Sequence, residues 1–375
     1  MGKNWIQSVF LQHGEAFRRK NRLSAVQLKA MQAIEKCSTG SCGFHSFICD
    51  SCGHTDIAYN SCRNRHCPHC QWFKQEIWVD RVKSSLLPVK YVHIVFTLPE
   101  FLNEFVLINH TLIYDILFEA SWHALHKCAS SCLSVQTGAL SVLHTWGQNL
   151  SLHPHIHMLV PAGGLDTDGM QWITSPQKFF LPVRALSKIF RARVMFLLLE
   201  SLFNKQLKIP DNRKEKNPAE ELKMLAYEKE WVMHLEKTRL SPVKVIEYLG
   251  RYIQRVAISN NRIERVDDDM VCFAYKDYAD NGKQKKMELN PVEFIRRFML
   301  HILPERFCKV RYYGILAIKN RNTKLRQCYA LIDKVQLTPR FTGLNTIQIL
   351  KLLTGKDYSL CPCCKTGYMR IYMPP

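Results

Sequence analysis

Pro154-His155-Ile156-His157-Met158-Leu159-Val160 is the stretch on which the reading of this chain turns. On a strand, successive side chains alternate between faces, so His155 and His157 leave one face while Ile156 enters the core. Two imidazoles side by side make most of a metal site. Alone, such a pair is more often satisfied by hydrogen bonds than by a metal. Further along, Glu247-Tyr248-Leu249-Gly250-Arg251-Tyr252 sets two phenols four apart, on one face of a helix. Ser241 and Pro242 fit the N-cap and first position of that helix. A metal beside paired phenols suits attack of a phenol on a phosphodiester.

The 375 residues allow a large core and two or three domains. With 52 Lys+Arg against 32 Asp+Glu, the net charge of +20 favours a polyanionic partner, nucleic acid being the commonest. The longest apolar runs, such as Val194-Met195-Phe196-Leu197-Leu198-Leu199, are too short to span a membrane. The N-terminus does not read as an export signal. Fifteen cysteines without such a signal point to a reducing cytoplasm, where clustered cysteines hold metal more often than they form disulfides.

Around the histidine strand, the chain reads as an α+β fold with a central antiparallel sheet, because the early strands are not joined by regular βαβ units. Strands are predicted over 90–99, 140–146, 155–160, 231–235 and 310–316. Helices are predicted within 1–36 (Ser24 as N-cap, Gln27 completing a capping box) and over 72–86, 101–132, 183–202 and 291–302. Asp280-Asn281-Gly282 predicts a hairpin turn, and the charged stretch 205–222 a solvated loop.

Cys49-Asp50-Ser51-Cys52 and Cys67-Pro68-His69-Cys70 are two knuckles of the kind that close a tetrahedral zinc site. The expected grouping is Cys49, Cys52, Cys67 and Cys70 around one Zn2+, with Cys37, His45, Cys62 and His66 forming a second, mixed site. Sequential pairing is the alternative, with Cys42 a substitute ligand. Arg63 and Arg65 sit between ligands, where a rigid basic surface suits phosphate contacts. Cys361-Pro362-Cys363-Cys364 is a further knuckle without an evident partner. It either shares a metal with distant residues or another subunit, or belongs to a metal-free tail.

Several blocks in order resemble the two-tyrosine HUH transposases of rolling-circle insertion sequences. They include Tyr59-Asn60-Ser61-Cys62-Arg63-Asn64-Arg65-His66-Cys67-Pro68-His69-Cys70, His93-Ile94-Val95-Phe96-Thr97-Leu98-Pro99 and His144-Thr145-Trp146-Gly147-Gln148. His153-Pro154-His155-Ile156-His157, Tyr248-Leu249-Gly250-Arg251-Tyr252 and Arg311-Tyr312-Tyr313-Gly314 follow. The resemblance implies an HUH-endonuclease-like sheet with flanking helices behind an N-terminal zinc-binding module. It divides the chain into a helical, zinc-binding, DNA-binding domain (1–75), an HUH nuclease domain (76–330) and a C-terminal segment (331–375).

The resemblance also implies Tyr248 and Tyr252 as nucleophiles and His155 and His157 as ligands of Mg2+ or Mn2+. Gln254 is the expected third ligand, with His153 and Glu247 as alternatives; the family pattern usually has His at position 254, so this chain departs from it. Arg251 and Arg255 would hold the phosphate, unless they form a solvated helix face. The implied partners are single-stranded DNA (hairpin element ends and target) and the host replication machinery, in the nucleoid of a bacterial cytoplasm. A replication initiator or relaxase shares this chemistry. A zinc-dependent binding protein without catalysis and a water-activating hydrolase are competing readings.

Overall fold

The computed structural model describes residues 4–176, 181–213, 217–240, 250, 257–278 and 280–372. Two helices open the chain, α1 (Trp5–Lys20) and α2 (Ala25–Lys36). Ser24 caps α2 as predicted: Gln27 N–H donates to its hydroxyl, and its own N–H donates to Gln27 Oε1 at 3.0 Å. Two backbone donors that the first turn leaves unpaired are thereby satisfied. An antiparallel ribbon of β1 (Phe44–Cys49) and β2 (Thr55–Tyr59) follows, then α3 (Gln71–Ser85) and β3 (Tyr91–Thr97).

The helix predicted over 101–132 breaks into α4 (Asn103–Ile108) and α5 (His110–Leu133) at Asn109. The Asn109 amide donates to the carbonyls of Phe105 and Lys208. Next come β4 (Gly138–Trp146), β5 (Leu152–Pro161), a small hairpin of β6 (Gly163–Leu165) and β7 (Trp172–Thr174), and α6 (Val183–Phe203). Then follow α7 (Pro218–Glu228) and β8 (Met233–Leu240). Helix α7 corrects the solvated loop expected through residue 222. Asn217 caps it, Pro218 starts it, Glu220 and Glu221 complement its N-terminus, and Leu222 and Ala226 are buried under its charged face.

The remaining elements are β9 (Ile263–Val266), β10 (Val271–Asp277), β11 (Lys283–Leu289), α8 (Pro291–Met299), β12 (Val310–Gly314), α9 (Lys324–Leu331), α10 (Thr346–Thr354) and β13 (Met369–Tyr372). The predicted Asn281-Gly282 turn joins β10 to β11, with both residues at positive φ (49° and 75°).

The central sheet has strand order β12-β4-β5-β3-β8, antiparallel throughout. Its side chains sort by parity. Leu143, Ile156, Met158, Ile94 and Phe96 enter a core built with α5 and α6. Leu140, Val142, Leu159 and Tyr91 face the other way, against Val79 and Val82 of α3 and Leu325 and Tyr329 of α9. A separate core joins α1 and α2 to α8 and β10, with Phe10 edge-on to Phe298 at 5.3 Å. Residues 331–375 do not stand apart: β13 pairs with β1, giving a sheet of order β13-β1-β2.

Two buried histidines brace these units. His66 Nε2 accepts from Leu303 N–H at 3.1 Å. His301 donates to the Leu150 carbonyl at 3.2 Å, and its Nδ1 lies 3.1 Å from the Thr145 hydroxyl. Burial lowers His66 to about 3 and His301 to about 4. Both are neutral in the fold at pH 5, whereas in the unfolded chain they protonate near 6.5. Their contribution is therefore complete above pH 6.5 and is lost as pH falls from there through about 4. The unfolding free energy from urea titrations should drop between pH 7 and 4.5, by on the order of 2 kcal/mol per histidine, with the midpoint falling accordingly, and His301→Gln should shrink the difference. Midpoints equal at the two pH values would contradict burial of neutral rings.

Candidate functional site

His155 and His157 leave β5 on the face shared with Leu159, as the strand period requires. The register of β4 sets His144 directly opposite His155. The donor atoms of His144, His155 and His157 lie within 4.8 Å of one another, close enough to bind one cation. His155 Nδ1 is 2.6 Å from the His153 carbonyl, which can only accept, so the proton sits on Nδ1 and Nε2 keeps its lone pair. His93, on β3, stacks on His157 at 5.0 Å, with its Nε2 2.8 Å from His157 Nδ1. That contact occupies Nδ1 of His157 and orients its Nε2, as outer hydrogen bonds orient metal-binding imidazoles.

Burial drives all three rings toward the neutral, metal-binding form. His155 is lowered to about 4, and His144 and His157 lie well below the usual 6.5. The nearby Lys309 ammonium, itself pushed down to about 7 by burial, opposes protonation of His144 further.

His144 is the ligand candidate that sequence reasoning missed. It stands in a quoted block, but its place opposite His155 depends on strand register, which the sequence did not supply. His153 contributes its carbonyl to the site rather than its ring to the cluster. Tyr248, Tyr252, Gln254, Arg251, Arg255 and Glu247 lie outside the described residues. Gly250, between the tyrosines, is described and buried. A Cβ at Gly250 would come within 2.3 Å of Val79 Cγ2. Val79 belongs to the core packed on Leu140, Val142 and Leu159, so Gly250 sits on the histidine side of the sheet. A cavity of about 1110 Å³ opens beside Thr97 and His153, lined both by Glu100, Glu104, Glu228 and Glu230 and by Lys229, Arg296 and Arg297, a mixed lining that does not single out a polyanion.

The cysteines group differently from expectation. Cys37, Cys62, Cys67 and Cys70 converge, as do Cys49, Cys52, Cys361 and Cys364, each set within 4.8 Å. The two CxxC knuckles do not share a site because the β1–β2 ribbon separates them. Cys49 and Cys52 flank its turn, whereas Cys37 and Cys62 lie at its open end, and six residues of strand span about 20 Å. His45 is exposed on β1 and does not converge with Cys37 and Cys62, the residues it was expected to join. His66 has its Nε2 engaged by Leu303, and the Cys42 thiol donates to the Lys36 carbonyl. His69 approaches the first cluster instead, with Nδ1 3.9 Å from Cys37 Sγ. Contact with Cys62 and its neighbours holds the Cys37 thiol far below its usual range, while contact with Cys37 pushes Cys62 and Cys67 up. Arg63 is exposed at φ 54°, whereas Arg65 turns inward to donate to the Phe307 carbonyl at 2.7 Å.

A family model described as "Putative transposase" matches residues 138–324, and one described as "Transposase zinc-binding domain" matches residues 9–98. The first span holds His144, His155, His157 and the tyrosine segment. The second holds the first cysteine cluster and Cys49 and Cys52, but neither Cys361 nor Cys364. The chain is 41% identical over 373 residues to "Putative transposase y4qJ" of Sinorhizobium fredii (strain NBRC 101917 / NGR234), covering 97% of this chain and 94% of that one. It is 28% identical over 304 residues to "Transposase for insertion sequence element IS801" of Pseudomonas savastanoi pv. phaseolicola, covering 79% of this chain and 71% of that one. No solved structure matches.

If His144 completes the cluster, His144→Ala should weaken Mn2+ binding by at least about tenfold in a calorimetric titration. His153→Ala, which keeps the backbone carbonyl, should leave binding nearly unchanged. Equal affinity in wild type and His144→Ala would remove His144 from the site.

Proposed function

The chain belongs to the two-tyrosine HUH transposases of rolling-circle insertion sequences and carries their zinc-binding domain, and we propose that it nicks and rejoins single-stranded DNA through 5′-phosphotyrosine linkages. The observation that carries the reading is the set of three neutral imidazoles on one sheet face, with Gly250 of the Tyr248–Tyr252 segment packed on that same side.

His155 and His157 would hold a divalent ion through Nε2 and His144 through a ring nitrogen, His144 filling the place for which the sequence offered Gln254. Three nitrogen donors favour Mn2+ over the harder Mg2+. When bound, such an ion neutralises charge on a non-bridging phosphate oxygen. The remaining chemistry belongs to the chain. One phenol, from Tyr248 or Tyr252, loses its proton and attacks phosphorus as the P–O3′ bond breaks. The products are a tyrosine joined to the 5′-phosphate and a free 3′-OH. One phosphodiester replaces another, so rejoining by the reverse step needs no ATP. The second tyrosine lets a second strand, such as the target, be cut while the first is held. Arg251 and Arg255 would steady the phosphates, and Arg63 would add a contact from the zinc module. Extension from the 3′-OH falls to host polymerase. Cys37, Cys62, Cys67 and Cys70 would hold a structural Zn2+ that fixes the Arg63 loop.

The test is a denaturing gel of the protein with labelled single-stranded DNA carrying an element end, with and without Mn2+. A protein-sized labelled band should form only with metal, persist in at least one of Tyr248→Phe and Tyr252→Phe, and vanish in the double variant. Cleavage without an adduct would replace the tyrosine mechanism with hydrolysis by water. Binding without cleavage would leave a DNA-binding protein.

A further inference from the structure

The geometry points to a second zinc centre, made by Cys49 and Cys52 from the N-terminal module with Cys361 and Cys364 from the end of the chain. Cys49 Sγ lies 3.7 Å from Cys364 Sγ, and Cys52 Sγ lies 3.7 Å from Cys361 Sγ. Four sulfurs each 2.3 Å from a tetrahedral zinc stand about 3.8 Å apart. A disulfide would need about 2.05 Å. The cluster therefore has the dimensions of a metal site and not of two disulfides.

The backbone around the sulfurs makes the same case. Ser51 and Cys52 N–H approach Cys49 Sγ at 3.4 and 3.5 Å; Cys363 N–H approaches Cys361 Sγ at 3.4 Å, and Gly367 N–H approaches Cys364 Sγ at 3.3 Å. Backbone N–H groups directed at sulfur in this way are the contacts that metal-bound cysteines accept. The two knuckles also match in conformation: the residue after each second cysteine is left-handed, Gly53 at φ 68° and Lys365 at φ 61°. Gly367 closes the second knuckle directly over the first, where a Cβ would fall 2.5 Å from Cys49 Sγ.

Pairing of β13 with β1 brings the knuckles together, with Cys49 opposite Met369. Asp50, inside the first knuckle, accepts from Tyr368 N–H at 2.7 Å. Yet β13 is mostly exposed, as are β2 and Cys52, so apolar burial gives this three-stranded ribbon little cohesion. Zinc supplies it: each thiol binds as thiolate with release of its proton, and binding energy becomes folding energy. The site ties the two ends of the chain into one ribbon across 309 and 315 residues of sequence.

Cysteine alkylation on the full-length, zinc-loaded protein, read by peptide mass spectrometry, tests this. Cys363, Cys132 and Cys308 are exposed and outside both clusters, so they are internal controls. Cys52, exposed, and Cys364, half-buried, should label at least about tenfold more slowly than Cys363 until a chelator is added, and then in step with Cys49 and Cys361. Native mass spectrometry should show one zinc fewer in Cys361→Ser/Cys364→Ser, with faster amide exchange in β13. Labelling of Cys52 and Cys364 at the rate of Cys363 in the zinc-loaded protein would overturn the site, as would rates indifferent to chelation. The wild-type labelling decides the matter even where the double variant does not fold.

Discussion

The pairing of β4 with β5, in the register that sets His144 opposite His155, is the constraint from which the candidate site follows. It is held from the other side of the sheet. Leu143, Ile156 and Met158 are almost fully buried in the core with α5 and α6, and their parity leaves His155, His157 and His144 no face but the opposite one. A slip of one residue would drive the histidines into that core and expose the apolar set. The histidine face is thus specified by packing energy that never touches it. The same parity brings His93 beside His157, so that His155 and His157 each have their Nδ1 engaged by a neighbour.

The cysteine module uses strand length as a separator. Six residues of β1 keep one cysteine cluster at the open end of the ribbon and the other at its turn. The open end is also the end bound to the rest of the molecule. His66 and Arg65 reach Leu303 and Phe307, and the core of α1 and α2 continues into α8 and β10. The module is therefore not a bead on a linker. Arg63, beside Cys62, therefore keeps a defined position relative to the central sheet.

Much of this was legible in the sequence because it depends on local periods. The α+β class, the antiparallel sheet, the Ser24 capping box, the Asn281-Gly282 turn and the shared face of His155 and His157 all follow from spacing within a few residues. The failures are of two kinds. Helix α7 was hidden because Glu220 and Glu221 read as solvation, although they complement a helix N-terminus beside buried Leu222. The third imidazole and the cysteine grouping were hidden because they are long-range. His144 meets His155 only through register, and Cys49 meets Cys364 only through a strand pair between the two ends of the chain. Composition and spacing name ligand types; they do not say which distant strand delivers the last one.

Pulsed EPR of the zinc-replete protein loaded with Mn2+ tests most directly whether the sheet face is a metal centre. Three imidazole nitrogens coupled to the manganese would match the arrangement of His144, His155 and His157. A manganese signal with water couplings alone, and no directly bound nitrogen, would contradict it.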